Sequence, residues 1–292
     1  MTTPEPIFDQ ALLVRRRHRA ATMAGQGSPP DFLLTRAADD LVWRLGAIKR
    51  QFASAVVLGA GAERILPALR QAGNVGSASS AQIPPDGTLP LAEASHDLVV
   101  SVLALQWVDD LPGALVQIRR ALKPDGLMLA ALTGGRTLHE LREAFLVAEA
   151  EVEGGASPRV APFADVRDLG SLLQRARFAL PVTDVDTVAV TYADPLALML
   201  ELRAMGAGNV LTARRKTPLR RATLARAIDI YRERYGTADG RVRATFEIVT
   251  LTGWAPHESQ QQPLRPGSAK ARLADALGTR EIEAGDKTGG AG

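Results

Sequence analysis

HDLVVSVLALQWVDDLPGALVQIRRALKPDGLMLAALTGGRTLHELR, residues 96–142, is the stretch that decides the fold of this chain. Leu98 to Leu105 is apolar, rich in β-branched residues and too short for a core helix, which is typical of a buried parallel strand. Residues 108–122 then repeat apolar side chains at helical spacing. After a Pro-Gly turn, Leu127 to Leu132 is a second apolar run. Strand, crossover helix and strand make a βαβ unit, so the pattern predicts an α/β protein.

The flanking segments extend this pattern in both directions. The sequence predicts further strands over residues 55–58, 74–77, 182–191 and 245–254, and helices over 8–23, 32–50, 137–153, 165–177, 195–205 and 223–235. From Pro256 the composition turns to Gln, Pro, Gly and charged residues. We therefore expect N-terminal helices over 1–50 that cap the sheet, an α/β domain with helical insertions over 51–255, and a partly disordered tail over 256–292.

The composition excludes several classes of protein. The 292 residues include no cysteine, which excludes disulfides, thiolate metal sites and a cysteine nucleophile. The 4 histidines form no pair at metal-ligand spacing, so we expect no metal site. A net charge of only +3 gives little support for a nucleic-acid partner. No apolar run approaches the ~20 residues that would cross a bilayer, so we expect at most peripheral contact with a membrane.

A glycine turn follows the first predicted strand, in the sequence Val56-Val57-Leu58-Gly59-Ala60-Gly61. In α/β folds such a turn lets the backbone approach a ligand, and the next helix directs its N–H groups at an anionic group. Close packing of the backbone against the protein itself requires the same glycines, and this alternative stays open. We expect Gly59, Ala60 and Gly61 to form a cofactor turn.

The order of these motifs resembles that of class I S-adenosylmethionine-dependent methyltransferases. Within this class, the chain resembles one branch over more of the chain's own length. This branch is the mitochondrial complex I assembly factor 5 family of arginine hydroxylases and its bacterial relatives. The motifs that carry this resemblance include LQWV at 105–108, GG at 134–135, EGG at 153–155, GW at 253–254 and HESQ at 257–260. The similarity runs from Phe8 to about Ala269. The malonyl-carrier-protein methyltransferase of biotin synthesis resembles only the Rossmann half.

The resemblance implies a Rossmann-like fold, with a mostly parallel seven-stranded sheet and helices on both faces, and S-adenosylmethionine as cofactor. The glycine turn would line the methionine end of the cofactor, and Val102 and Leu103 would contact it through the backbone. Ser77, near the end of the second strand, would lie by the ribose. Asp86 would reach the adenine amine.

This chain departs from the family pattern around the cofactor. Val57 stands where the family has an acid, and Glu63 where it has a third glycine. No acid ends the second predicted strand to hold the ribose hydroxyls. Because a charge-assisted hydrogen bond contributes roughly 1.5–3 kcal/mol, we expect weak cofactor binding.

Two functions follow from the resemblance. The first is an enzyme, a methyltransferase-like transferase or an arginine hydroxylase, that modifies an arginine of a respiratory complex I subunit, or a methyltransferase that acts on another substrate. The second is a non-catalytic assembly or scaffold protein with the same fold and a degenerate cofactor site. Both imply a protein partner and a bacterial cytoplasmic location, peripheral to the inner membrane at most. Methyl transfer needs mainly positioning, so no catalytic residue is identified, and Trp107 is either a pocket residue or a core residue.

Overall fold

The computed structural model describes residues 5–24, 32–261 and 278. The chain divides into two units, Met1–His257 and Glu258–Gly292, and all the helices and strands of the described residues belong to the first unit. In the second unit only residues 258–261 and 278 are described. The predicted disorder of the tail therefore lies outside the described residues for most of its length.

Helices and strands alternate through most of the first unit. The helices are α1 (Gln10–Ala24), α2 (Phe32–Gly46), α3 (Ala62–Gln71), α4 (Leu111–Ala121), α5 (His139–Glu153), α6 (Val166–Arg175), α7 (Pro195–Ala204) and α8 (Arg221–Tyr235), with a short 3-10 helix at Leu105–Trp107. The strands are β1 (Phe52–Leu58), β2 (Val75–Ala81), β3 (His96–Val102), β4 (Leu122–Thr133), β5 (Ala179–Tyr192) and β6 (Val242–Trp254). Across the described ranges, no helix is long and apolar enough to cross a bilayer.

The strands form one sheet in the order β2-β1-β3-β4-β6-β5. Strands β2, β1, β3 and β4 run parallel, whereas β6 is antiparallel to both of its neighbours. The prediction that β1, β3 and β4 are adjacent and parallel is confirmed. The expectation of seven strands is wrong, because the sheet of the described residues has 6. The link from β2 to β3, residues 82–95, contains neither a helix nor a strand.

Helices cover both faces of the sheet. On one face, α2, α3, α5, α7 and α8 contribute to the larger cluster of buried side chains, and on the other face α4 and α6 form a second cluster. Along β1 the side chains alternate, with Val57 in the first cluster and Val56 and Leu58 in the second. Burial on both faces explains why the central strands β1, β3 and β4 appear in the sequence as continuous apolar runs.

Strand β2 extends beyond the segment that the sequence predicts. The pattern predicts an end at Ser77, but pairing with β1 continues until Ala81 lies opposite Leu58. Its small polar residues, GSASSA, carry little strand signal of their own. The backbone ladder with β1 overrides this weak propensity, and it moves the carboxyl end of β2 to residues 79–81.

Helix α4, which connects β3 to β4, begins with a side-chain cap. The Asp110 carboxylate accepts a hydrogen bond from the Gly113 amide at 2.9 Å. We expect Asp110→Ala to lower the free energy of unfolding by about 1 kcal/mol, because a helical N–H loses its acceptor. Urea denaturation of the full chain measures this. Asp229→Ala, at an exposed position of α8, is the control and should change stability by less than about 0.5 kcal/mol.

Candidate functional site

The carboxyl ends of β1 and β3 meet where the path of the chain through the sheet changes direction. From β1 the chain goes to β2 on one side, and β3 then lies on the other side of β1. In open α/β sheets, ligands bind in the crevice at such a switch point. The glycine turn follows β1 at this point, and Leu103 and Ala104 follow β3.

The glycine turn packs tightly against the end of β3. A Cβ atom on Gly59, whose φ is +87°, would lie 2.3 Å from the Cβ of Ala104. A Cβ on Gly61 would lie 2.5 Å from the carbonyl oxygen of Val102 and 3.1 Å from the Cδ1 of Leu34. The structure thus brings the turn together with Val102 and its neighbours. The protein's own packing already requires glycine at both positions.

Two residues at this edge of the sheet have a backbone conformation that is rare for non-glycine residues. Leu103 has a φ of 45° and Leu138 has a φ of 55°. The Leu103 amide donates to the Ala131 carbonyl at 2.8 Å, which keeps the residue after β3 paired with β4. Strained residues of this kind persist only where the surrounding structure fixes them, and they are frequent at functional sites.

Ser77 and Asp86 each make a hydrogen bond to the backbone of their own surroundings. Ser77 lies inside β2, opposite Ser54, and its hydroxyl donates to the carbonyl of Ala53 at 3.0 Å. Asp86 lies in the link between β2 and β3, where its carboxylate accepts the amide of Thr88 at 3.0 Å. The residues at the carboxyl end of β2 are Ser79, Ser80 and Ala81, and none of them is acidic.

An aromatic cluster lies beside the end of β3. Trp107 packs edge-on against Phe8 and Phe163, with ring centroids 5.5 Å and 5.9 Å apart. The side-chain amide of Gln10 donates to the Trp107 carbonyl at 2.8 Å, so the start of α1 docks on the same residue. Trp107 is half-buried. It is therefore neither a fully buried core residue nor a fully exposed one, and both roles that the sequence left open, pocket residue and core residue, stay open. No spacing in the sequence indicates its contacts with Phe8 and Phe163, which are far apart along the chain.

Three buried carboxylates lie in or beside α5 and β6. Glu140 accepts from the Thr245 amide at 3.1 Å, and Glu247 accepts from the Arg136 amide at 3.1 Å. Glu149 accepts from the Ser157 amide at 2.6 Å and from Arg159. Burial alone would raise the pKa of Glu149, but the hydrogen bonds from Ser157 and Arg159 outweigh it and lower that pKa. Glu140 thus ties α5 to β6, Glu247 ties β6 to the turn after β4, and Glu149 ties α5 to the loop that follows it.

Two buried polar atoms follow the ends of neighbouring strands without a hydrogen-bond partner in the structure. They are Oε1 of Gln106, after β3, and Oγ1 of Thr133, at the end of β4. Buried polar groups are normally paired, so these two acceptors are exceptions within the buried part of the site. Within the residues that the structure describes, no group of three or more His, Cys, Asp or Glu side chains is arranged to hold a metal ion.

The fold and the turn are those of the methyltransferase class. A family model described as a methyltransferase domain matches residues 56–130. A solved structure from Bacillus halodurans, assigned as a methyltransferase, superposes with a TM-score of 0.50 at 12% identity, over 75% of this chain and 100% of that one. This likeness shows the fold.

Full-length relatives define the family more narrowly. The mitochondrial arginine-hydroxylase NDUFAF5 of Danio rerio is 36% identical over 92% of this chain and 89% of its own length, and that of Homo sapiens is 39% identical over 92% and 83%. The chain belongs to the NDUFAF5 arginine-hydroxylase family. A malonyl-[acyl-carrier protein] O-methyltransferase of Xylella fastidiosa is 41% identical over 58% of this chain and 55% of its own. The domain and these relatives support an enzyme of the transferase or hydroxylase type.

Proposed function

We propose that this chain acts on an arginine-bearing protein subunit during the assembly of respiratory complex I. The observation that carries the proposal is the relationship to the NDUFAF5 arginine-hydroxylases over 92% of the chain. That relationship includes the elements from α5 to β6, whereas the methyltransferase domain model ends at residue 130. A shared C-terminal half favours a shared kind of substrate over a merely shared fold.

Features of the site agree with a guanidinium-bearing substrate. The unpartnered atoms of Gln106 and Thr133 could accept its hydrogen bonds, and Trp107, next to Gln106 in sequence, is only partly buried. Glu247 adds a buried carboxylate on β6, the strand next to β4. An arginine presents N–H donors in a planar fork and pairs favourably with carboxylates and aromatic faces.

S-adenosylmethionine is the cofactor that the family suggests, and it would supply an electrophilic methyl group when bound. The residues that would hold its methionine half are Gly59, Ala60, Gly61, Val102 and Leu103. Its nucleoside half finds no carboxylate at the end of β2, and Asp86 is engaged within its own turn. The loss of one charge-assisted hydrogen bond would weaken binding by roughly ten- to a hundredfold. We therefore propose that cofactor binding is weak.

A second candidate function is a non-catalytic assembly protein that binds the subunit without modifying it. The missing acid at the end of β2 favours this alternative. In both cases the partner is a protein, with no nucleic acid, and the proposed location is the bacterial cytoplasm, peripheral to the membrane that holds complex I.

A gene deletion tests the proposed function. We expect cells without this gene to accumulate less assembled complex I on native gels, and a plasmid copy to restore it. Mass spectrometry of the complex I subunits from both strains then reports one added oxygen or one added methyl group on an arginine. Loss of that mass difference in the deletion strain identifies the catalytic function. An assembly defect without any mass difference identifies the non-catalytic one, and normal complex I would refute both.

A further inference from the structure

Helix α1 carries more positive charge than the net charge of the whole chain suggests. The helix contains four arginines, one histidine and no acidic residue, whereas the chain has a net charge of only +3. Among the residues that the structure describes, no carboxylate forms an ion pair with any of these arginines, which are Arg15, Arg16, Arg17 and Arg19. Asp9, just before the helix, pairs instead with Arg214 at 3.0 Å.

The end of α7 packs against α1 and adds a further arginine. Gly206, two residues after α7, allows a close approach, since a Cβ there would lie 3.3 Å from the Cβ of Ala20 and 3.4 Å from the Cα of Arg17. Arg203, in the last turn of α7, is exposed. It too forms no ion pair within the described ranges. The two helices therefore bring unpaired arginines to one part of the surface.

The surroundings of Arg16 show how close these arginines lie. The pKa of its guanidinium is lowered, first by burial and then by the positive charges of Arg214, Arg19 and Arg203. The Asp9 carboxylate has the opposite effect on this pKa and the smallest influence. Charges of one sign on neighbouring elements create a positive potential over the surface, which attracts an anionic partner.

Exposed apolar side chains lie on the same two helices. Leu196 and Leu200 of α7 are 43% and 64% exposed, and Val14 of α1 is 60% exposed. Residues four and seven positions apart share one face of a helix, so Leu196, Leu200 and Arg203 form one outward stripe. Glu201, the only acid of α7, lies on a different face and is half-buried. The helix pair thus presents arginines and apolar side chains together.

We propose that α1 and α7 form a surface that binds membranes containing anionic phospholipids. The phosphate groups of a bilayer lie just outside its acyl chains, so one lipid surface accepts the arginines and the leucines at the same time. The planar guanidinium of arginine also matches the geometry of a phosphate group. Carboxylates of an acidic protein would satisfy only the arginines. The proposal deepens the membrane location given under the proposed function, and it does not depend on any action on an arginine.

Sedimentation of the full-length protein with lipid vesicles is the first test. We expect binding to phosphatidylcholine vesicles that contain about 30% phosphatidylglycerol, and little binding to phosphatidylcholine alone. Salt at about 0.5 M should weaken the binding, because it screens exposed charges. Equal binding to both kinds of vesicle, or binding to neither, overturns the proposal. Vesicle binding in a strain whose deletion leaves complex I normal would refute the proposed function and leave this surface standing.

Matched double variants locate the surface. Each arginine near an anionic bilayer strengthens binding about fivefold, so Arg19→Gln with Arg203→Gln should lower the partition coefficient about 25-fold. Arg120→Gln with Arg167→Gln removes the same charge from exposed positions of α4 and α6, on the other face of the sheet, and should change the coefficient little. Equal losses in the two double variants would show a response to net charge alone and would refute the proposed surface.

A dye on the leucine stripe separates a lipid partner from an acidic protein. The chain has no cysteine, so Leu200→Cys and Leu146→Cys can each carry a single environment-sensitive dye. Leu146, 54% exposed on α5, is the control. We expect anionic vesicles to shift the dye emission at position 200 to the blue and to leave that at position 146 unchanged. Circular dichroism confirms that both variants are folded. Loss of binding in the arginine variant without a shift at position 200 would indicate a purely ionic surface, suited to an acidic protein, and would overturn the lipid assignment.

Discussion

Replacing Glu149 with alanine is expected to lower the free energy of unfolding by about 3–5 kcal/mol. Glu149 is fully buried on α5 and accepts hydrogen bonds from the Ser157 amide at 2.6 Å, the Ser157 hydroxyl at 2.9 Å and Arg159 at 2.8 Å. Its removal leaves the Arg159 guanidinium, also largely buried, without a counter-charge. Uncompensated buried charges and donors are among the few causes of losses this large.

The same substitution should loosen one particular loop. Glu149 ties residues 157–159 to α5, and the Pro158 carbonyl in turn accepts from the side chain of Asn209 at 2.8 Å. This loop continues to Phe163, which packs on Trp107. In Glu149→Ala we therefore expect faster amide exchange at 157–163, together with a change in Trp107 fluorescence. Glu149→Gln keeps the shape of the side chain and one acceptor oxygen, so it should lower the free energy of unfolding by less than Glu149→Ala does. A loss below about 1 kcal/mol in Glu149→Ala would contradict the proposed role of Glu149 in holding this loop.

The stability of the wild-type protein should depend on pH through Glu149. Its folded-state pKa lies below the ordinary value of 4.5, because the hydrogen bonds from Ser157 and Arg159 outweigh burial. A carboxyl group with a lowered pKa contributes stability that is present above the unfolded pKa and is lost as the pH falls through the folded pKa. We expect urea midpoints to fall below about pH 4.5 in the wild type, and less steeply in Glu149→Ala. If the urea midpoints of the wild type and of Glu149→Ala fell equally steeply with pH, Glu149 would not be the group responsible for the pH dependence.

The sequence predicts the centre of the sheet well, for a physical reason. Strands β1, β3 and β4 are buried on both faces, so each appears as an apolar run of its own, and α4 between them has a regular apolar face. Strand β2 is an edge strand of small polar residues, and only pairing with β1 defines its length. The chain's own pattern indicates six strands. The seventh came from the resemblance alone, and the short link at residues 82–95 has no room for it.

The candidate site was predictable only in part. The Gly59–Gly61 turn carries a local signal, because a strand, two glycines and a helix follow one another in the sequence. Leu34, Ile83 and Ala104 lie near that turn but belong to distant segments, and nothing local in the sequence indicates that they meet there. The packing of Phe8 and Phe163 on Trp107 likewise joins residues that are far apart along the chain. Sequence patterns locate the backbone of a site, whereas long-range packing decides which side chains surround it.

Gly59→Ala is expected to destabilise the protein by about 2–5 kcal/mol, even though no ligand is involved. Alanine in the left-handed region costs about 1–2 kcal/mol, and the new methyl group would lie 2.3 Å from the Cβ of Ala104, which adds roughly 1–3 kcal/mol of overpacking. Chemical denaturation measures the loss. Gly155→Ala is the control, since a Cβ there meets nothing within 4 Å and its φ is not positive, and it should be nearly neutral.

A double-mutant cycle then separates packing from ligand binding as the reason for this glycine. Ala104→Gly removes the methyl group that Gly59→Ala would strike, so the double variant should be more stable than the sum of the single losses by about 1–3 kcal/mol. The backbone penalty at position 59 should remain. Additive losses would mean that the methyl groups at positions 59 and 104 do not meet, and the loss in Gly59→Ala would then come from its backbone conformation alone.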